Sequence, residues 1–500
     1  MNFYWGDIHN HCGITYGFGS LENALKAAEG QLDFCAVTGH AMWPDIPERT
    51  EDTAFLVDFH KKGFAKLRNN WESVRETVAK AYKPHEFVTF QGYEIHSSKH
   101  GDHHIVSPSD ELPLIEANSP AELVEALKPH PCIAVLHHPG YTPGYRGANW
   151  ETFSSDITPV VEVFSKHGCG MSEHSPYNYL HTMGPRDSRS TAFTGLGKGH
   201  RFSFVGSTDH HAGYPGSYGD GRMAVLATEK TREAIWEAIL AKRTYAVTGD
   251  KIECNFSING AIFGSEIEAK GDKERKISLD VKACDFVEKV TIFKNLKAWA
   301  ILNGEEITDT EKVATTFKIR VEMGWGNKNE GYDWGGNVAI KSGTLEAVET
   351  CFRGRSVLAP SPDMKDDPDI NALDNRILNQ DKNGVAWKCT TFKNPTTMHS
   401  QTAALILEIK GDMKTELKVS ANGKEMMVTI AEIIRGSRTF QMKDYSSEAV
   451  VIHSAVPETH YKFSREWIDL KKENDCDIYH VEIKQVNGQC AWISPIYVLG

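Results

Sequence analysis

Long apolar runs are missing from this sequence. No stretch reaches the ~18 consecutive apolar residues that a membrane-spanning helix needs, and the charged residues are spread along the whole chain. The N-terminus, Met1 to Asp7, also lacks the basic region and apolar core of a signal peptide. These absences predict a cytoplasmic protein without membrane contact, unless a leader has been removed.

Closely spaced cysteines and an excess of basic residues are lacking too. The ten cysteines are scattered singly, without a CxxC pair, so buried free thiols are expected and a disulfide scaffold is not. The formal net charge is -12, whereas a nucleic-acid-binding protein needs a basic surface to neutralise phosphates. We therefore expect no nucleic-acid partner.

The length of 500 residues exceeds the ~250 to 300 residues at which single hydrophobic cores stop growing. We place one domain at residues 1–250 and a second at residues 251–500. The second contains alternating or β-prone stretches, such as Ile277 to Val281 and Val290 to Phe293. This pattern predicts a β-rich, sandwich-like domain. The oligomeric state stays open.

Histidine is concentrated in the first half: 18 of the 22 histidines precede residue 212. The same half alternates helical segments with short apolar runs that end in polar residues. One helix is predicted after Ser20 and another after Ser119, which begins a capping box with Pro120. Apolar strands that end in metal-ligating side chains are typical of an α/β barrel, whose sites lie at the carboxyl ends of its strands.

His9 and His11 are two residues apart on the expected first strand, so their side chains share one face. Taken alone, this pair is as typical of two structural histidines as of a metal site. Five other clusters of polar side chains strengthen the case: His40, Glu94, His103-His104, His137-His138 and Asp209-His210-His211. Imidazoles with carboxylates are the ligands that Zn, Mn and Fe prefer.

These motifs resemble those of the polymerase and histidinol phosphatase (PHP) superfamily. The similar segments are Gly6 to His11, Val37 to His40, Glu94, His138-Pro139 and Asp209 to His211. Arg243 to Gly249 and Ala491 to Ile496 resemble an uncharacterised branch of that superfamily, the DUF3604 type. The resemblance implies an α/β fold with a distorted seven-stranded (βα) barrel, followed by the β-rich domain.

The resemblance also implies two divalent ions, with a third in some members. One ion would be held by His9, His11, Glu94 and Asp209; a second would share Glu94 and add His104 and one of His137 or His138. We favour His104 over His103 because it directly precedes Ile105-Val106, and His138 because it precedes proline. A third ion would use His40 and His211, but residues 12–18 lack the expected further ligand.

The activity implied is hydrolysis of a small phosphate mono- or diester by a water that the two ions activate. His137 and His210 are candidate general acids, and Asp7 is a candidate catalytic or orienting carboxylate. For the anionic substrate we select Lys166, His167, Arg186 and Arg222, which lie in loop-like contexts.

Three alternatives stay open. The same centre would suit hydrolysis of a carboxylic ester, lactone or amide. A nuclease is disfavoured by the acidic charge, and a non-catalytic binding module is disfavoured by the near-complete set of ligands.

Overall fold

The computed structural model of the protein describes residues 1–180, 184–269, 273–309, 312–357, 360, 367–445 and 447–500. Residues 1–250 form, in chain order, β1 (Asn2–Asp7), α1 (Leu21–Glu29), β2 (Phe34–Ala36), β3 (Gly39–Met42), α2 (Ala54–Lys80), β4 (Val88–Ile95), β5 (His103–Ser107), α3 (Pro120–Leu127), β6 (Ile133–Leu136), β7 (Val160–Ser165), β8 (Gly168–Cys169), a 3-10 turn (Ser188–Ser190), α4 (Ala192–Gly197), β9 (Ser203–Gly206), β10 (Arg222–Ala227), α5 (Arg232–Leu240) and β11 (Thr244–Val247).

Residues 251–500 are mostly strands. They form β12 (Glu253–Ile258), β13 (Ala261–Ile262), β14 (Glu266–Glu268), β15 (Arg275–Lys282), β16 (Val287–Lys294), β17 (Lys297–Asn303), α6 (Gly304–Ile307), β18 (Thr316–Gly324), β19 (Tyr332–Lys341), β20 (Thr344–Cys351), β21 (Arg376–Asp381), β22 (Gly384–Thr391), β23 (Ala403–Lys410), β24 (Glu416–Ala421), β25 (Lys424–Thr429), α7 (Ile430–Ile433), β26 (Arg438–Gln441), β27 (Ala449–Ile452), β28 (Val456–Pro457), α8 (Glu458–Tyr461), β29 (Lys462–Asp469), β30 (Cys476–Gln485) and β31 (Cys490–Leu499).

Side-chain caps start the predicted helices. The Ser20 hydroxyl accepts a hydrogen bond from the backbone N–H of Asn23 and begins α1. Ser119 accepts likewise from the N–H of Glu122, with Pro120 at the first helical position of α3. Because each cap satisfies an N–H group that the helix leaves unpaired, both helices begin where the sequence predicts.

The sheet that contains β1 mixes parallel and antiparallel strands. β1, β2 and β4 are parallel neighbours, and so are β6, β7 and β9. Between these two groups lies β5, antiparallel to both β4 and β6. On the other side, β1, β10, β11 and β31 follow one another in antiparallel pairs. The sheet then continues through β30 and β16 to β17.

The predicted distorted seven-stranded (βα) barrel is therefore wrong. The described residues form 31 β-strands but only eight α-helices. A parallel (βα) repeat needs a long crossover between successive strands, yet residues 96–102 join β4 directly to the antiparallel β5. Short apolar runs indicate buried strands but do not encode strand direction or neighbours. That is why the prediction failed.

The second half adds three further sheets. One has the strand order β13-β12-β15-β29, another β20-β23-β18-β27-β26, and the third β21-β22-β19-β24-β25. The last two share one hydrophobic core around Val321, Trp334 and Trp387. The boundary between domains at residue 250 stays a prediction, and the first sheet runs across it through the pairing of β11 with β31.

No helix of the described residues is long and apolar enough to cross a membrane.

Candidate metal centre

The strand directions bring the histidine clusters to one edge of the sheet. His9, Glu94 and Asp209 lie at or beyond the carboxyl ends of β1, β4 and β9. Because β5 runs the opposite way, its first residues lie at this same edge, and His104 pairs with Glu94 in the β-sheet register. Four strand ends thus contribute these side chains to one buried cluster.

Backbone hydrogen bonds fix the segment of His9 to His11 against that of Asp209 to His211. The N–H of Asp209 donates to the carbonyl of His9 at 2.7 Å, and the N–H of His11 donates to the carbonyl of His210 at 2.8 Å. Asp209 has a left-handed backbone, with φ of 49°. This pairing directs His9, His11 and Asp209 to the same side.

Glu94 lies at the middle of the cluster. Its Oε2 is 3.2 Å from Nε2 of both His9 and His11. Its Oε1 is 2.8 Å from Nε2 of His96 and 3.2 Å from Nε2 of His137. Burial raises the pKa of Glu94, but the surrounding histidines, including His40, outweigh that effect and hold it well below its usual range. Each oxygen therefore faces its own set of imidazoles, as a bridging ligand requires.

Asp209 is the second buried carboxylate of the cluster. Its Oδ1 is 2.8 Å from Nε2 of His11, while its Oδ2 is 3.1 Å from Nε2 of His138 and 3.0 Å from Nε2 of His167. His138 therefore contacts Asp209, whereas His137 contacts Glu94. Both members of the His137-His138 pair lie in the cluster, on different carboxylates.

His104 faces the cluster and His103 does not. The His104 ring stacks on that of His9, with centroids 4.3 Å apart, and its Nδ1 is 3.2 Å from Nδ1 of His137. His103 instead donates its Nδ1–H to the carbonyl of Gly101. Since neighbouring strand residues point to opposite faces, only one of the two reaches the centre.

The remaining predicted ligands, His40 and His211, flank His11. The His11 ring lies 3.9 Å from that of His40 and 4.4 Å from that of His211, centroid to centroid. His40 also approaches Glu94, with its Nε2 at 3.5 Å from Oε2. All eight predicted ligands therefore gather in one cluster, although their binding of metal stays a prediction.

The cluster fits divalent cations. At least five groups of three residues could each hold an ion, because the ligand atoms within a group lie within 4.8 Å of one another. The groups are His9-His104-His137, His11-His40-His211, His9-His11-Asp209, His40-Glu94-His96 and Asp102-His137-His138. Nε2 of His104 and Nδ1 of His138 are buried without a hydrogen-bond partner. Because buried polar atoms are nearly always paired, these nitrogens are available to a divalent ion.

The protonation states of His104, His137 and His138 agree with that fit. Burial lowers the pKa of His104 and His137 well below the usual value and that of His138 to about 3. Their rings are therefore neutral near pH 7, and metal ligation needs the neutral imidazole.

The predicted catalytic residues lie in different surroundings. The Asp7 carboxylate accepts hydrogen bonds from the Thr208 hydroxyl at 2.5 Å and from the N–H of Gly216 at 2.8 Å, so it holds the backbone on both sides of Asp209. The Nδ1 of His210 accepts from the N–H of Ala212, and the ring lies 6.4 Å from that of Tyr214, centroid to centroid. His137 contacts Glu94. Catalytic roles for these three stay predictions.

Two of the four residues selected for the substrate lie beside the cluster. His167 contacts Asp209, and Lys166 directs its Nζ to the Ser356 hydroxyl, with Asp220 at 3.5 Å. The guanidinium groups of Arg186 and Arg222 are instead engaged by protein oxygens. That of Arg186 donates to the backbone carbonyls of residues 173, 175, 176 and 177, and that of Arg222 to those of Gly216 and Gly249 and to Gln31.

The second half of the chain borders this region. The Asn371 amide donates to the carbonyl of Ala212 at 2.6 Å, and the N–H of Gly19 donates to the carbonyl of Asp367 at 3.0 Å. With Ser356 on Lys166, these contacts form a border beside His211 that is made of second-half residues.

The sequence did not reveal four residues of the centre. Glu162 of β7 accepts from Nδ1 of His9 at 2.8 Å and thereby orients that ring. His96 contacts Glu94, and Asp102 and Arg146 form an ion pair next to it. Alternation along β4 gives a signal for His96, two residues after Glu94. Glu162 is flanked by valines on both sides, and this pattern gives no signal of a site residue.

Comparisons with known proteins give distant relatives. No family model matches the chain. An uncharacterised protein of Chlamydia pneumoniae is 27% identical over 254 residues, covering 45% of this chain and 39% of the relative. Another, from Chlamydia trachomatis, is 25% identical over 285 residues, covering 53% and 42%. The chain spans less than half the length of these relatives.

One solved structure is similar at a low level. It is a two-domain protein from Bacteroides vulgatus, described as containing a predicted PHP-like metal-dependent phosphoesterase. The two chains are 15% identical with a TM-score of 0.33, over 58% of this chain and 79% of the other. A likeness of this size carries no conclusion about the activity of this chain.

Proposed function

We propose that this protein is a metal-dependent hydrolase that cleaves a small phosphate mono- or diester. The observation that carries the proposal is Glu94, a buried carboxylate whose two oxygens face separate sets of histidines. A carboxylate between imidazole groups is the arrangement that a pair of divalent ions uses. Zn, Mn and Fe all suit this set of donors.

Two sets of side chains would hold the ions. His9, His11, Glu94 and Asp209 form one set, and Glu94, His104 and His137 form the other; His138 lies closer to Asp209. Bound there, divalent ions supply Lewis acidity that activates a water and neutralises charge developing on the substrate.

Side chains next to the predicted ligands hold those ligands in position. Glu162 fixes the ring of His9, so that its Nε2 faces Glu94. Asp7 fixes the backbone that carries Asp209. Such outer contacts hold ligands in place and raise the affinity for metal.

Exposure indicates the side from which substrate approaches. His9, His104 and His137 are fully buried, whereas His138 and His211 retain 5% and 6% exposure. A substrate therefore approaches past the last two. Because so little of the site is exposed, it favours a small-molecule substrate over a polymer.

A substrate screen with the metal-loaded protein tests the proposal. We expect turnover of chromogenic phosphate esters that is lost on chelation and restored by Zn²⁺, Mn²⁺ or Fe²⁺. Elemental analysis in parallel should find at least two ions per chain. Turnover of carboxylate esters alone would replace phosphoester hydrolysis with the carboxylic ester alternative. Absence of stoichiometric metal would refute both.

A further inference from the structure

Arg146 places a fixed positive charge against the candidate centre. Its Nε donates to Oδ2 of Asp102 at 2.6 Å, and its Nη2 contacts the same oxygen. The same Nη2 lies 3.6 Å from Oε1 of Glu94 and 3.4 Å from Nε2 of His96. The guanidinium thus touches the carboxylate that lies between the two sets of ligands.

The surrounding structure holds this side chain still. Arg146 has a left-handed backbone, with φ of 68°, and its N–H donates to the carbonyl of Ser98. The guanidinium carbon lies over the Trp43 ring at 5.6 Å from the centroid. Asp102 is fully buried, while the Arg146 side chain keeps 13% exposure. The cation is therefore held in one orientation by Asp102 and Trp43, and its side chain keeps partial exposure.

We propose that Arg146 binds a non-bridging oxygen of a phosphate monoester at this centre and thereby favours the monoester dianion over a diester. This inference rests on the proposed function. A guanidinium presents parallel N–H donors that match phosphate oxygens. Since a monoester carries one more negative charge than a diester, a fixed cation beside it stabilises the monoester more.

The other arginines near the centre are less suited to this task. Arg186 and Arg222 already donate to several backbone carbonyls or to Gln31. The contacts of Arg146 run through Nε and Nη2 to side chains of the centre itself. Nη1 of Arg146 therefore has no hydrogen-bond partner among the described residues and is placed to bind an anion.

Binding of inorganic phosphate tests the inference without turnover. Calorimetry would compare the metal-loaded wild type with Arg146→Lys, Arg146→Gln and Arg68→Gln, an arginine of α2 whose side chain is 58% exposed. We expect phosphate to bind at least about tenfold more weakly to both Arg146 variants, because a charge-assisted pair of hydrogen bonds is lost. Arg68→Gln should bind phosphate as the wild type does, and metal content should be equal throughout.

Steady-state kinetics supply a second readout. With p-nitrophenyl phosphate, Arg146→Lys should raise KM more than it lowers kcat. With bis(p-nitrophenyl) phosphate the change should be several-fold smaller. Unchanged phosphate affinity and an unchanged preference for the monoester in a metal-loaded Arg146→Gln would overturn the inference.

One further variant separates loss of phosphate binding from loss of folding. Arg146→Gln leaves Asp102 unpaired and could therefore melt at a lower temperature than the wild type. In that case the double variant Asp102→Asn/Arg146→Gln removes the buried charge, and its phosphate affinity replaces that of the single variant in the test. A wild type that binds phosphate yet hydrolyses no phosphate ester refutes the proposed function alone. A metal-loaded wild type that binds no phosphate refutes the role of Arg146, whatever ester it cleaves.

Discussion

At the scale of single residues, Glu94→Gln removes the charge that faces the surrounding imidazoles while keeping the shape of the side chain. We expect metal affinity to fall by at least about 10- to 100-fold, since even outer contacts of a ligand have effects of that size. Metal retained after dialysis, measured by mass spectrometry, checks this. Glu116→Gln is the control, because Glu116 is 71% exposed and pairs with Arg68. Full metal retention by Glu94→Gln would rule out Glu94 as a shared ligand.

His480 is a buried histidine of β30, outside the candidate metal centre. Its ring stacks on Phe293 with centroids 4.6 Å apart, and neither ring nitrogen has a hydrogen-bond partner. Burial lowers its pKa to about 3. His480 is therefore neutral in the folded protein and titrates near its ordinary pKa of 6.5 in the unfolded chain.

This difference predicts a pH dependence of stability. Between pH 6.5 and about 3 the unfolded state binds one more proton at His480, so stability falls as pH falls, by at most about 1.4 kcal/mol per pH unit. His480→Phe should remove that part of the slope. Urea unfolding at pH 7, 6 and 5 measures it, with the exposed His399→Phe as control. Equal slopes in wild type and His480→Phe would contradict the prediction.

Some residues of the centre could be predicted from the sequence pattern and others could not. His9, His11 and Asp209 follow recognisable apolar strands, and Glu94 lies near the end of β4, so their meeting at one edge was predictable. Arg146 lies in a loop of glycine, proline and tyrosine, and its contact with Glu94 depends on how residues 138–147 fold back. Contacts of this kind arise from tertiary structure and leave no periodic signal.

At the scale of elements, β5 directs the adjacent His103 and His104 to opposite faces, so only His104 faces the metal centre. His104→Ala should lower metal content, since its ring lies against His9 and His137. His103→Ala should leave metal content unchanged, because its ring bonds to the carbonyl of Gly101 on the opposite face. The pair differs by one position and the same substitution, so elemental analysis gives a matched comparison. A loss of metal in His103→Ala but not in His104→Ala would mean that β5 is shifted by one residue, and equal losses would contradict the prediction.

The helices were easier to predict than the sheet. α1 and α3 begin at Ser20 and Ser119 because a local side chain caps them, and local signals are legible in sequence. The direction of β5 and the pairing of β11 with β31 are non-local. Nothing in an apolar run such as Ile133 to Leu136 distinguishes a parallel neighbour from an antiparallel one.

At the scale of the whole molecule, β31 connects the two halves. Trp492 and Tyr497 are fully buried among first-half residues, and the Tyr497 hydroxyl donates to the carbonyl of Phe202 at 2.7 Å. The N–H of Phe204 donates to the Ser494 hydroxyl at 2.7 Å. Loss of a single buried aromatic side chain costs about 3 to 5 kcal/mol, a large share of the ~5 to 15 kcal/mol typical of a folded protein.

We therefore expect a fragment of residues 1–250 to lack a cooperative thermal transition. Scanning calorimetry and near-ultraviolet circular dichroism, compared with the intact chain, measure this. Residues 251–500 supplied as a separate chain should restore the transition at least in part, because β31 then covers β11 again. A fragment 1–250 that melts cooperatively alone and binds metal would support an independent first domain.

The position of β31 also affects how the protein is made. A ribosome releases β11 long before it releases β31, and at about 5 to 20 residues per second the interval is on the order of ten seconds or more. During that time the edge of β11 and the aromatic side chains around Phe204 stay open to solvent. We therefore expect the first half to complete its folding only after β31 has emerged, and to expose an aggregation-prone surface until then.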